Sequence, residues 1–454
     1  MPDSVYATMK HCITLFASLL FLTTVAFAQK PEKCGVVKYH ELLFQKYPQL
    51  RKAYNTFEQQ VTDKVAAQKA WSAGLRTAGV TTPDTTTLRT IPIVVHVIHN
   101  NANNAIGGYN IPDAQILSQI PILNRDYRRR NADTVNTPSW FKPVASDMNF
   151  EFCMASVDPN GNPTNGITRT YNSTAAWSIN QDAEFKSLSY WPSSQYLNIW
   201  VINLEDGILG YSQLPYGSLP GINSTDPGAA TDGIVILYAA YGDTIGVNFP
   251  YALGRTVTHE IGHWLGGLRH PWGDGPCYTD YIDDTPWQDS ADYDYDPCSF
   301  RTSSCNGPKD TLMTQNYMQY TGDNCMNMFT NDQKQRSRVA LFNCPRRVAL
   351  LNSNGCGQAR LSATVSPTTS PKFTIYPNPA STSFSVSYNL SNIANIQLSV
   401  YNMEGILVQT LINTTQTQGE YNYTYTTEGL PSGLYLFRFA SGDNAEMQKV
   451  IIVK

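Results

Sequence analysis

The sequence predicts an α+β domain of enzyme size followed by a small all-β sandwich. Three observations lead there. Apolar runs rich in β-branched residues, "IPIVVHVIHN", "YLNIWVINL" and "DGIVILYAAY", read as buried strands. Among them, "DAQILSQIPILNRDYRRR" and "GRTVTHEIGHWLGG" carry apolar residues at helical spacing, with Val257, Ile261, Trp264, Leu265 and Leu268 on one face. Finally, "SNGCGQARLSATVSPTTSPK" breaks the composition with Ser, Thr, Pro and Gly. Beyond it, alternating runs are interrupted by Gly, Pro and Asn every ~8–12 residues, the pattern of a sandwich.

A chain of 454 residues that is 42% apolar buries several cores, which excludes disorder throughout. Only 15% of residues are charged and the net charge is −4, so no basic field exists to hold nucleic acid or an anionic membrane surface. Lys10 and His11 precede the apolar run "CITLFASLLFLTTVAFA", which ends on Ala26, Phe27 and Ala28, a small-x-small processing site. Residues 1–28 are therefore expected to be a signal peptide; the competing reading, an anchor helix, is short for a span. No later segment reaches the ~18 apolar residues of a membrane span, so the mature protein is expected to be exported and soluble.

Nine cysteines agree with export. Cys12 leaves with the signal, while Cys277, Cys298, Cys305, Cys325, Cys344 and Cys356 crowd one region, as disulfides would. A cysteine zinc site is the weaker idea, because no C-x-x-C pair occurs. Residues 29–89 are helix-prone and polar, ending in the Thr-rich linker "TTPDTTTLRT"; they form the expected propeptide. The catalytic domain is expected over 90–353, a linker over 354–371 and the β domain over 372–454.

"HEIGHWLGGLRH" carries the chemistry. On a helix His259 and His263, four apart, project from one face at a spacing that suits two nitrogens on one metal. Glu260 beside them is placed to take a proton from a metal-activated water, the arrangement of HExxH zinc proteases. Of seven histidines, His11 falls in the signal, His40 in the propeptide, and His96 and His99 in the first strand. The other three all lie between His259 and His270, which argues for a metal site over two solvated histidines.

With "NYMQYTGDNCMNMFTNDQ" added, "VTHEIGHWLG" resembles the pappalysin family of metzincin metalloproteases. "IPIVVHVIHNNANN", "FEFCMASVDPNGNPTNGITR" and "DDTP" extend the likeness from about Ile91 to Cys325. The resemblance implies a zinc protease domain with a mixed twisted sheet and an active-site helix. It implies His259 and His263 as zinc ligands, Glu260 as general base, Met318 in the turn beneath the metal, and Tyr320 as a stabiliser of the oxyanion. Gln319 stands where the family usually has Asp. The family's third ligand falls where this chain has Arg269, whose guanidinium stays protonated and cannot ligate. His270 comes one residue later. Either the helix runs one residue longer and turns at Gly267, or it ends at Gly266 and Gly267 forms a bulge; the bulge is favoured, and His270 is the expected third ligand.

The resemblance further implies structural calcium on Asp280, Asp284 and Thr285 with the carbonyl of Ile282, and disulfides Cys277–Cys305 and Cys298–Cys325. A further pair, Cys344 with Cys356, is expected. Cys34, in "EKCGVVKYHE", resembles a cysteine switch that holds the zinc in the precursor; the competing reading is an unpaired or disulfide cysteine. Cleavage near Arg89 is expected to release the domain. "FTIYPNPA", "VYNMEGILV", "GLPSGLYLFRF" and "KVIIVK" resemble the C-terminal sorting domain of type IX secretion cargo in Bacteroidetes, with a carbohydrate-binding or adhesive sandwich as runner-up. The expected protein is a secreted or cell-surface zinc endopeptidase made as a latent precursor. It acts on proteins or peptides and engages the secretion machinery through its tail. The alternative is a degenerate binding or adhesion protein that keeps the fold and has lost the site.

Overall fold

The computed structural model describes residues 33–72, 86–205, 207–218, 229–244, 250–293, 298–305, 310–357, 373–390, 394–402, 407–441 and 444–454. The expected signal peptide, residues 1–28, lies outside them, as do the first half of the Thr-rich run and most of the second linker. Two compact units divide the chain, residues 1–359 and 360–454. No helix among the described residues is long and apolar enough to cross a membrane.

The first unit opens with two helices, α1 Val36–Lys46 and α2 Gln49–Ser72, in the segment read as propeptide. Phe57 and Val61 of α2 are buried with Val339 and Ala340 of a later helix, so the segment shares a core with the rest of the unit. The central sheet is built on β1 Arg89–His99, whose last nine residues are all buried. β1 pairs in parallel with β2 Phe150–Met154 and β3 Ile167–Tyr171 along one edge and with β4 Leu197–Ile202 along the other. A strand buried on both faces reads as a continuous apolar run, which is why "IPIVVHVIHN" does not alternate.

Outside β4 comes the rim strand β5 Gly210–Ser212, which runs antiparallel to β6 Gly233–Leu237, itself paired in parallel with β4. The sheet is thus mixed, with one short edge strand at the rim. Helices α3 Asp113–Tyr127 and α4 Arg255–Gly266 share the main core with it through Ile116, Leu123, Val257, Ile261 and Trp264. α5 Asn331–Asn343 follows and carries a capping box between Thr330 and Gln333.

Three disulfides form among the described residues: Cys153–Cys356, Cys277–Cys305 and Cys298–Cys325. The expected Cys344–Cys356 pair is corrected. Ser156 donates its N–H to the carbonyl of Gly355, which lays residues 353–356 beside β2 and its Cys153, while Cys344 is buried in the core shared with α2. The same bond places Cys356 in the first unit, so the linker begins later than residue 354. Arg89, the expected release point, is the first residue of β1 and faces Phe150, so a cut there would fall inside the sheet.

The second unit is all β. One antiparallel sheet joins Phe373–Tyr376, Ser383–Leu390 and Gly419–Thr426; the other joins Leu407–Gln416, Ala394–Tyr401, Gly433–Ser441 and Asn444–Ile452. Phe384, Val386, Leu398, Val400, Phe437 and Phe439 fill the core between them.

Candidate metal centre and active site

Every residue of α4 is buried, so the partners of its polar groups come from inside the protein. Tyr127 Oη donates to the Thr258 carbonyl at 3.0 Å, Thr258 donates to Asp126 at 2.8 Å, and Arg255 pairs with Asp133 at 2.6 Å. At the N-terminus, where a carboxylate suits the helix dipole, Asp323 Oδ2 accepts the N–H groups of Leu253 and Arg255 at 3.0 and 3.1 Å.

The other end settles the inserted residue. α4 runs through Gly266, and Gly267 takes the left-handed conformation at φ 58° and ψ 31°. Its N–H bonds to the His263 carbonyl at 2.8 Å, the single bond of an αL glycine cap, and the Leu268 N–H reaches back to the Gly262 carbonyl at 3.4 Å. The expected bulge is therefore corrected. The helix absorbs the insertion as one more residue and turns at Gly267, which keeps the Gly-x-x-His interval. A Cβ at Gly267 would lie 2.7 Å from the Phe57 ring, so glycine is required by contact as well as by φ.

This turn returns His270 to the helix face. His263 Nε2 lies 3.1 Å from His259 Nε2, 3.2 Å from His270 Nε2 and 3.5 Å from Cys34 Sγ, and all four atoms fall within 4.8 Å of one another. Ligand atoms ~2.0–2.3 Å from one zinc at tetrahedral angles stand roughly 3.3–3.7 Å apart, so this donor set fits the ion. The remaining ring nitrogens are held as metal-binding histidines require: His259 Nδ1 donates to the Tyr317 carbonyl at 2.7 Å, His263 Nδ1 to the Leu268 carbonyl, and His270 Nδ1 pairs with the Asp274 carboxylate. Burial, then mutual repulsion, holds His259 and His263 well below the usual imidazole range, which keeps them neutral. Burial pushes the Cys34 thiol well up, so a thiolate there calls for a cation.

Around this cluster, Glu260 Oε2 accepts the Ser212 hydroxyl at 2.5 Å. Burial raises the Glu260 pKa to about 7 against the opposing effects of Ser212, Cys34 and Lys33. Met318 is fully buried, and a Cβ on Gly262 would stand 2.6 Å from its sulfur, which places it directly against the helix. Gln319 exchanges amide hydrogen bonds with Gln288 at 2.7 and 3.2 Å, tying the turn to the loop after the helix. Tyr320 Oη donates to the Cys34 carbonyl at 2.9 Å, and its ring meets those of His270 and Trp272 at 4.9 and 4.8 Å. The structure thus brings together Cys34, His259, Glu260, His263, His270, Met318 and Tyr320. Asp280, Ile282 and Thr285 form a separate cluster, in which Asp280 accepts from Thr285 Oγ1 at 2.7 Å and from the Ile282 N–H at 3.1 Å, while Asp284 Oδ2 accepts the Asp332 N–H at 3.0 Å.

Four residues of the site escape the sequence reading: Asp274, Ser212, Asp323 and Lys33. Asp274 leaves the one local signal, a carboxylate four residues after a candidate ligand. The others arrive from distant segments. Lys33 is buried, with Nζ 3.3 Å from the Thr321 carbonyl and 5.0 Å from the centre of the Tyr251 ring. Burial lowers its pKa to about 8, and Asp323 is the strongest of the charges that oppose this.

A mixed sheet with an antiparallel rim strand, an HExxH helix that turns at glycine toward a third histidine, and a methionine turn beneath define a metzincin metalloprotease. Residues 180–342 match the family described as pregnancy-associated plasma protein-A, and residues 374–454 match the secretion system C-terminal sorting domain. An extracellular metalloprotease of Arthroderma otae is 30% identical over 267 residues, which cover 56% of this chain and 78% of the relative. Among solved structures, a promirolysin mutant of Tannerella forsythia is 40% identical with a TM-score of 0.58, covering 70% of this chain and 97% of its own. Mature mirolysin of the same organism, in complex with a cleaved peptide, is 46% identical with a TM-score of 0.52, covering 59% and 97%. The chain belongs to the pappalysin family and is a secreted or cell-surface metalloendopeptidase with a C-terminal sorting domain.

Proposed function

We propose that this chain is the latent precursor of a zinc endopeptidase acting on extracellular proteins, with zinc held by His259, His263 and His270. The convergence of Cys34 and these histidines within 4.8 Å carries the reading. Zinc bound there supplies Lewis acidity, which polarises a peptide carbonyl and lowers the pKa of water to about 7. Glu260, oriented by Ser212, accepts the water's proton and passes it to the leaving amine. Tyr320, whose hydroxyl now donates to the Cys34 carbonyl, donates to the developing oxyanion once a substrate carbonyl takes that place.

Latency follows from occupancy. Cys34 is the fourth ligand of the precursor, and the chain around it takes up the rim strand: Leu209 N–H bonds to the Lys33 carbonyl at 3.0 Å and Gly35 N–H to the Gly210 carbonyl at 2.8 Å. His40 Nε2 lies 3.1 Å from the Ser212 carbonyl and 3.2 Å from the Leu214 nitrogen. Backbone groups that would pair with an extended substrate are therefore engaged. The degenerate alternative loses its premise, since the Gly267 turn leaves His270 beside both other histidines.

The pocket that holds Lys33 next to Asp323 suits a basic substrate side chain beside the scissile bond. Casein and peptide hydrolysis by the processed chain tests the whole reading. Hydrolysis should vanish with a chelator and return with zinc, a Cys34→Ala precursor should be less latent than the unsubstituted precursor although its backbone still covers the rim strand, and peptides with Lys or Arg should outcompete those with Glu. Chelator-resistant cleavage would end the zinc reading, and indifference to charge would end the pocket assignment.

Calcium on Asp280, Asp284, Thr285 and the Ile282 carbonyl belongs to the same proposal. Burial raises Asp280 to about 7 and Asp284 to about 6, and Asp284 Oδ1 has no hydrogen-bond partner among the described residues. The sign is defined: carboxylates raised on folding bind protons more tightly in the folded state, so the cation-free fold loses stability as pH rises toward 7. Calcium should therefore raise Tm strongly at pH 8 and little at pH 5; equal effects at both would remove the site. We assign the tail to export across a bacterial outer membrane of the Bacteroidetes type, following an N-terminal signal. Deletion of residues 372–454 should hold the protein in the periplasm, and normal secretion would overturn this.

A further inference from the structure

Two arginines meet the propeptide beside the metal centre. Arg336, on α5, is buried, and its Nη2 lies 2.9 Å from each carboxylate oxygen of Glu58 and 3.2 Å from the Gly267 carbonyl. Arg269, which precedes His270, has Nη2 3.9 Å from Glu58 Oε1, too long for a hydrogen bond. Its guanidinium lies 5.3 Å from the Tyr54 ring centre and 4.7 Å from that of Tyr281, and its buried Nε has no hydrogen-bond partner among the described residues. Two permanent positive charges thus share one carboxylate at the propeptide; Asp274, near Arg269, is engaged by His270, and Asp280, near Arg336, accepts from Thr285 Oγ1 and the Ile282 N–H.

Glu58 and Tyr54 lie on propeptide helix α2, whereas Arg269, Arg336 and Tyr281 belong to the protease. A cavity of about 310 Å³ lies beside Arg269, lined by His263, Leu214, Arg269 and Asp274 and by Phe44 and Tyr54 of the propeptide. When the propeptide leaves, the cavity opens toward the cleft and Glu58 goes with it. A guanidinium cannot shed its proton, and one left without a partner in a partly buried place is costly. We propose that Arg269 and Arg336 form, in the processed enzyme, a subsite for an acidic side chain of the peptide substrate, the place Glu58 holds in the precursor. The assignment rests on the protease reading and adds to it a second specificity element, opposite in charge to the Lys33 pocket.

Peptides of one fixed cleavable sequence, with a single Glu or Gln walked through the positions on either side of the scissile bond, provide the test. They are given to zinc-loaded enzyme matured from the full-length chain. At one position Glu should exceed Gln in kcat/KM by about tenfold, carried mainly by KM, as a charge-assisted pair worth about 1.4 kcal/mol would give. The ratio should shrink with added salt. Arg269→Gln should bring the ratio close to one, Arg269→Lys should retain part of it, and Arg269→Glu should favour Lys over Glu at that position. Each ratio is taken within one enzyme preparation, so a loss of folded protein cancels. A ratio of one at every position in the unsubstituted enzyme, or a Glu preference that survives Arg269→Gln, overturns the subsite. Cleavage of the Gln peptides reports the protease reading separately; if no peptide is cut, both fall.

Discussion

Glu260→Gln is expected to lower kcat/KM of the processed enzyme by about 10²–10⁴-fold while zinc remains stoichiometric, the range that removal of a positioned general base produces. Glutamine keeps the shape and the hydrogen bond from Ser212 but cannot take a proton. The carboxylate sits on α4 one residue from His259, and Ser212 on β5 fixes it at 2.5 Å, so the substitution removes proton transfer and leaves the metal's ligands in place. The pH profile gives a second readout. A base works only when deprotonated, and burial raises Glu260 to about 7 in the precursor. Activity should therefore climb with pH through an acid limb that belongs to Glu260, and the residual activity of the Gln variant should lack it. Activity within a few-fold of the unsubstituted enzyme would remove Glu260 from the chemistry.

His270→Ala is expected to abolish hydrolysis together with tight zinc binding, by more than about 100-fold in affinity, because loss of a direct ligand exceeds the 10–100-fold typical of an outer-shell partner. Asp274→Asn supplies the comparison. That carboxylate touches only His270 Nδ1 among the ligands, so its loss should cost about 10–100-fold in zinc affinity. Zinc content after gel filtration against a chromophoric chelator reads both variants. Stoichiometric zinc and full activity in His270→Ala would return the site to two histidines and sink the assignment.

Much of this centre is legible because it is local. A helix of 3.6 residues per turn must put His259 and His263 on one face, and apolar spacing shows that the segment is a helix. Cys34 reads in the sequence as a resemblance to a cysteine switch, with an unpaired or disulfide cysteine as the competing reading, because its approach to His263 spans 229 residues of sequence. The position of His270 needed one more fact, the left-handed turn at Gly267, which pattern alone left open between a cap and a bulge. Cys356 shows the same limit. Proximity in sequence favoured Cys344, whereas the chain returns to lie beside β2 and bonds Cys153.

By itself the sequence determined the two-part architecture and the helix with its two histidines and glutamate, since each is written in periodicity, spacing or composition within a short window; the sorting role of the tail came from its resemblance to a known family. Only the tertiary structure decided which distant side chains complete the site: Ser212 on Glu260, Asp274 on His270, Asp323 near Lys33, and Glu58 against Arg269 and Arg336. Buried charged and polar groups must find partners wherever the fold brings them, and no local pattern encodes a partner that arrives from a distant segment.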